Sequence, residues 1–287
     1  MKKNYIKYIL ALLLFGTNGI VASHILLSSC EIVLLRTFIG SIFLLTFFLL
    51  TKNKFTFLKS GNSFVFLAIS GIAMGLSWMF LYEAYQQMNV SIASLCYYCG
   101  PVIVMILSPI LFKEKLTGKK ISGFLSVLIG ICLINSEAIS GGSNLFGIFC
   151  GLMSAIMYSF MVIFNKKATK ITGMENSTLQ LSISCLTVAL FVLCKQRLLL
   201  QIPSASIPWI LFLGLVNTGF GCYLYFSSIG HLPVQSVAII GYLEPLSAVL
   251  FSVFLLHEHM GILQIIGTIC MIGGAVWSEF QKPDQAQ

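Results

Sequence analysis

The stretch Tyr98-Cys99-Gly100-Pro101, which runs on through apolar residues to Phe112-Lys113-Glu114, has a counterpart in the same chain. Tyr242-Leu243-Glu244-Pro245 leads in the same way to Leu256-His257-Glu258. Pro101 and Pro245 stand 144 residues apart, and so do Glu114 and Glu258, Tyr98 and Tyr242, and Ser108 and Ser252. Gly75 and Gly219, Gly123 and Gly267, and Gly130 and Gly274 keep the same spacing. One constant offset that superposes prolines, glycines and glutamates without a gap reads as two copies of one unit. The copies are placed at residues 1–137 and 145–281 of the 287.

Around these motifs the chain is 57% hydrophobic and only 9% charged, with a mean hydropathy of +0.95. A soluble domain carries about 25% charged residues, so this chain cannot cover a water-facing surface. Disorder is excluded too, because it needs low hydrophobicity and high charge. Apolar runs between charged breaks give ten spans: Ile6–Ile25, Ile32–Leu50, Phe64–Tyr82, Val90–Phe112, Ile121–Asn135, Leu145–Phe164, Thr178–Leu193, Ile207–Tyr225, Val234–Leu256 and Gly261–Trp277. The fold class expected is an all-α integral membrane protein of ten transmembrane helices. The Lys-flanked first span, with Val21-Ala22-Ser23 near its end, also has the outline of a secretion signal, but removing it would break the repeat.

The net charge of +8 belongs to the loops rather than to a nucleic-acid surface. With the N-terminus inside, fourteen lysines fall inside: Lys2, Lys3, Lys7, Lys52, Lys54, Lys59, Lys113, Lys115, Lys119, Lys120, Lys166, Lys167, Lys170 and Lys282. Only Lys195 and Arg197 fall outside, which predicts both termini in the cytoplasm. A unit of five spans makes the second copy enter the membrane from the opposite side. Two inverted repeats are the plan of transporters that work by alternating access.

The paired Tyr98–Pro101/Glu114 and Tyr242–Pro245/Glu258 signatures resemble those of the EamA family of the drug/metabolite transporter superfamily, and the likeness covers nearly the whole chain. The resemblance implies ten helices around a central cavity built mainly by helices 1, 3, 4, 6, 8 and 9. It also implies secondary transport of small metabolites, often amino acids and often outward; the leading reading is an exporter in a bacterial inner membrane. Gly100 where the second copy has Glu244 makes the halves chemically unequal.

Glu244 is the sharpest candidate for substrate binding. A carboxylate at mid-membrane costs about 2.5–3.5 kcal/mol even on lenient scales, and Pro245 beside it opens the backbone ladder. The pair makes a notch for an ammonium group or a proton; a purely structural Glu bonded to the freed backbone is the competing reading. Trp78 and Tyr82, one helical turn apart, and Tyr97, Tyr98, Tyr158 and Tyr242 offer rings to a cavity. Tyr82, Tyr223 and Tyr225 lie near span ends, where an interfacial belt also explains them. Asn18 and Asn217 are further candidates, whereas Asn165 beside Lys166 reads as interfacial. Pro101 and Pro245 are candidate hinges. Arg36 is expected to snorkel or to pair with Glu31, a structural role. Glu114 and Glu258 stand at helix ends, where each is expected to cap the helix that follows.

No metal site is expected. Cys96-x-x-Cys99 lies within a span, His257-Glu258-His259 lacks a third ligand, and the nine cysteines read as packing residues. No phosphate-binding Gly-rich loop and no nucleophile–His–acid set is present, so neither ATP-driven pumping nor catalysis is expected, and no cofactor. The partners expected are a small-molecule substrate, the lipid bilayer and a proton as coupling ion, in a monomer or homodimer. Import of a small organic cation or other nutrient, and a membrane-embedded enzyme, are the competing readings.

Overall fold

A segment in lipid must satisfy its own backbone polar groups, so apolar runs of this length fold as helices. The computed structural model describes residues 2–87, 90–134, 144–195, 201–256 and 261–279, and every regular element among them is helical. The chain runs α1 Lys2–Gly16, α2 Asn18–Ser23, α3 Ser29–Leu50, α4 Asn62–Gln87, α5 Val90–Tyr97, α6 Gly100–Phe112 and α7 Gly118–Ile134. It continues with α8 Leu145–Lys167, α9 Gly173–Lys195, α10 Ile207–Phe212, a π-helical stretch Leu213–Phe220, and α11 Gly221–Ile229. It ends with α12 Val234–Gly241, α13 Leu243–Leu256 and α14 Ile262–Glu279. His257–His259, the Ser140–Ser143 loop, Arg197 and Lys282 lie outside the described residues.

Among the described residues, eight helical columns are long and apolar enough to cross a membrane. The fifth and tenth of the expected spans are shorter, as α7 with 17 residues and α14 with 18. At about 1.5 Å per residue these reach about 26 Å, just under a bilayer core of about 30 Å. They pack on each other glycine to glycine. A Cβ on Gly123 would lie 2.5 Å from the Gly274 carbonyl, and one on Gly130 would lie 2.5 Å from that of Gly267. Removing the side chain at these points lets two backbones touch, the usual device for helix contact in lipid. Gly71 and Gly75 do the same for α4 against Ile183 and Thr187 of α9.

Two columns are broken at matching places. α5 gives way to α6 at Tyr98–Cys99, just before Pro101, and α12 gives way to α13 at Tyr242, just before Pro245. Proline cannot donate to the ladder, which frees carbonyls on the turn before it. One of these, that of Tyr98, accepts the Tyr242 hydroxyl at 2.7 Å.

The end of the bundle that carries the start of α1 is tied shut. Tyr8 donates to the Val237 carbonyl at 2.8 Å, and Tyr5 meets Ser236. Lys166 donates to the carbonyls of Ile229, Gly230 and Leu232 at the end of α11. Glu114 departs from expectation. It does not cap the helix that follows it; its carboxylate accepts from the backbone N–H of Val234 at 2.7 Å and Gln235 at 3.0 Å, capping α12 in the other half of the chain. Glu175, at the start of α9, accepts likewise from the N–H groups of Thr56 and Phe57. A carboxylate stabilises such orphaned donors by hydrogen bonds and by the helix dipole together.

Candidate functional site

At the opposite end, the α2–α3 turn and the last turns of α4 border a cavity of about 470 Å³ that reaches into the bundle. The site residues proposed from sequence divide into two groups. Asn18, Trp78, Tyr82, Tyr97, Tyr98, Tyr158 and Glu244 all line this cavity. Asn217 and Tyr242 do not line it; both are buried behind its wall, at 0% and 2% exposure.

Glu244 occupies the first turn of α13, immediately after the break at Tyr242. That position faces the positive end of the α13 dipole and its unpaired N–H groups, which makes a carboxylate tolerable at this depth. The side chain is only partly buried and borders the cavity. The aromatic lining is packed ring on ring. Tyr97 meets Tyr158 edge-on at 5.4 Å and Tyr98 at 5.7 Å, and Tyr82 meets Tyr85 at 5.5 Å. The Tyr158 and Tyr225 hydroxyls lie 3.4 Å apart.

Asn18 touches the cavity because the first column breaks at Thr17, between α1 and α2. Asn217, on the π-helical stretch, holds that break. Its Nδ2 donates to the Leu14 carbonyl at 3.1 Å, Thr17 Oγ1 at 2.8 Å and Asn18 Oδ1 at 3.0 Å. A π-turn widens the helix and turns side chains that a regular helix would aim elsewhere.

Several residues differ from their sequence reading. Arg36 does not pair with Glu31, whose carboxylate is engaged with the Ser28 N–H and hydroxyl in a capping box at the start of α3. Arg36 is 7% exposed and lines the cavity. Its Nε donates to Thr218 Oγ1 at 3.0 Å, and its guanidinium lies 4.9 Å from the centre of the Trp78 ring. Tyr225 is buried among Tyr8, Phe15 and Tyr158 on the cavity wall rather than at an interface. Asn165 is 2% exposed, bonded to Asn176 and Gln180. Tyr85, at the end of α4, is a lining residue that the sequence did not single out; its ring beside Tyr82, three positions away, was the available signal. Among the described residues no group of three His, Cys, Asp or Glu is placed to hold a metal ion.

A cavity lined by several broken helices is the architecture of a carrier, and the comparisons with known proteins agree. The model of the EamA-like transporter family matches the chain twice, over residues 3–136 and 145–279. The uncharacterized transporter YxxF of Bacillus subtilis (strain 168) is 23% identical, with 98% of this chain and 91% of that protein aligned. An uncharacterized transporter of Archaeoglobus fulgidus is 25% identical over 94% of this chain and 95% of its own length. A solved crystal structure superposes with a TM-score of 0.83 at 17% identity, covering 96% of this chain and 97% of the other; at that identity the likeness shows the fold. With two family matches spanning almost its full length, a multi-pass helical bundle and a cavity inside it, the chain belongs to the EamA-like transporter family.

Proposed function

We propose that the protein is a secondary transporter that exports small metabolites, amino acids or related compounds, across a bacterial inner membrane by alternating access between two inverted five-helix repeats. The observation that carries this reading is the one-sided cavity. Its mouth lies at the α2–α3 end, and the other end is tied by Glu114, Lys166, Tyr5 and Tyr8. The lysine-rich loops Lys52–Lys59, Lys113–Lys120 and Lys166–Lys170 adjoin the tied end, so the positive-inside rule makes this the outward-open state.

Support for inverted repeats comes from contacts between equivalent positions. Gly123 meets Gly274 while Gly130 meets Gly267, so the repeat-related pairs 123/267 and 130/274 exchange partners across α7 and α14. Ser126 donates to the Cys270 carbonyl, again 144 residues away. Such reciprocity is what a two-fold axis lying in the membrane would produce, and it counts the short helices α7 and α14 as the fifth and tenth spans. Glu244 is the proposed site for a substrate ammonium or a coupling proton, with the rings around it holding the apolar part.

The same aromatic wall favours a second reading, uptake of a small organic cation. The experiment is flux of a labelled amino-acid and quaternary-amine panel in proteoliposomes of defined orientation, with and without a pH gradient. Amino-acid movement from the lysine-rich side outward upholds the proposal. Inward movement of cations alone replaces it with the second reading.

A further inference from the structure

Arg36 is a full charge about a third of the way along α3, at a depth where a guanidinium is costly unless something engages it. The fold engages one part of it and leaves another part facing the cavity. Thr218 lies on the π-helical stretch, and its hydroxyl proton is committed to the Leu213 carbonyl five residues back, at 2.8 Å. The Thr218 oxygen therefore presents a lone pair, which receives Arg36 Nε at 3.0 Å. Trp78 lies against the guanidinium at 4.9 Å, a cation–π arrangement that fixes its plane.

This approach is possible because glycines line the crossing. A Cβ on Gly214 would lie 2.7 Å from Ile39, and one on Gly40 would lie 3.1 Å from the Gly214 carbonyl. The terminal Nη1 and Nη2 receive no acceptor from the described residues. Among those residues no carboxylate oxygen lies within 4.0 Å of the guanidinium, so Arg36 and Glu244 do not neutralise each other by contact. Both nonetheless border one cavity.

We infer that Arg36 is the anion anchor of this cavity, that Thr218 and Trp78 are its positioning residues, and that the site takes a zwitterion. The substrate carboxylate receives the fork of Nη donors, a pairing suited to guanidinium geometry. The ammonium lies at Glu244, and the uncharged remainder lies against Tyr97 and Tyr158. The inference rests on the transport reading above and narrows its substrate class: an amine without a carboxylate satisfies only one pole.

The test is isothermal titration of the full-length protein in lipid nanodiscs with two matched series. These are L-phenylalanine, phenethylamine and 3-phenylpropionate, and L-leucine, isopentylamine and 4-methylpentanoate. In the wild type, at least one amino acid should bind about ten-fold or more tighter than its amine and its acid, as loss of a charged hydrogen bond demands. Arg36→Gln should abolish the preference of amino acid over amine without weakening the amine, from which a like charge has been removed. Arg36→Lys, which keeps the charge should Gln fail to fold, should recover only part of the preference. Thr218→Val, which keeps the shape, should weaken the amino acid about three- to ten-fold and the amine not at all. Amines that bind as well as amino acids, or Arg36 variants that weaken both alike, overturn the inference and leave the transport reading standing. No binding of any amine-bearing member to a folded wild type overturns this inference too, and the transport reading is then decided by the flux panel.

Discussion

At the scale of single residues, the chemistry falls on charged and hydroxyl side chains that the helix breaks turn inward. Glu244 is held at the start of α13, where the helix end compensates its charge. Glu244→Gln keeps the shape and removes the charge, so it should fold normally and lose transport of an amine-bearing substrate. The loss expected in affinity is about 2–5 kcal/mol, measured by titration alongside vesicle flux. Normal transport from about pH 5 to 8 would remove Glu244 as the ammonium or proton site. Glu244, Trp78 and Tyr97 were legible in the sequence because a polar or amphipathic side chain deep in an apolar run needs a reason. Arg36 was not, since its position along α3 allowed snorkelling and nothing in the sequence shows that α3 turns it onto Thr218. Tyr242 shows the converse. Its place beside the break was correct, but its hydroxyl donates to the Tyr98 carbonyl and the residue does not line the cavity.

At the scale of helices, the proline breaks and the glycine crossings do different work. The breaks before Pro101 and Pro245 interrupt the helices beside the cavity, where the proposed alternating access requires bending. Replacing either proline by Ala should slow turnover in proteoliposomes more than it weakens substrate binding; unchanged turnover in both would make them packing features only. The α7–α14 crossing is rigid instead. Gly274→Ala would push a methyl group onto the Gly123 carbonyl and should destabilise the protein by about 1–3 kcal/mol, read as a lowered thermal midpoint in detergent. Most helices were visible as apolar runs. What the runs concealed was the break at Thr17 and the π-helical stretch at Leu213–Phe220, which leave hydrophobicity unchanged and alter only hydrogen-bond register; the breaks at Tyr98 and Tyr242 were marked by Pro101 and Pro245. The polar ends of α4 and α9 were also undercounted, because Tyr85 and Asn176 continue helices that hydropathy ends earlier.

At the scale of the whole molecule, the lysine pattern and the tied end of the bundle make one statement about orientation. Cysteines placed at Lys59 and Lys170 should be labelled from the cytoplasm and those in the Ser140–Ser143 loop from outside; termini on opposite faces would end the inverted-repeat proposal. The carboxylate of Glu114 binds two donors of α12 across the halves, so Glu114→Gln should loosen the tied end. Labelling of a cysteine at Ser236 from the cytoplasmic side should rise several-fold, with overall stability little changed. The sequence paired Glu114 with a helix end correctly but with the wrong helix, since the partner lies 120 residues on and only the packing of the two halves brings it near.

The single phenol bond between Tyr242 and Tyr98 joins the two helix breaks to each other. Two bends that share a bond are harder to move one at a time, and a carrier with only one bend moved is open at neither end or at both. If the proposed proton-coupled cycle holds, the bond acts against slippage, the wasteful passage of ions without cargo. Tyr242→Phe should leave substrate affinity nearly intact yet raise the proton leak of cargo-free vesicles, a failure of economy rather than of recognition.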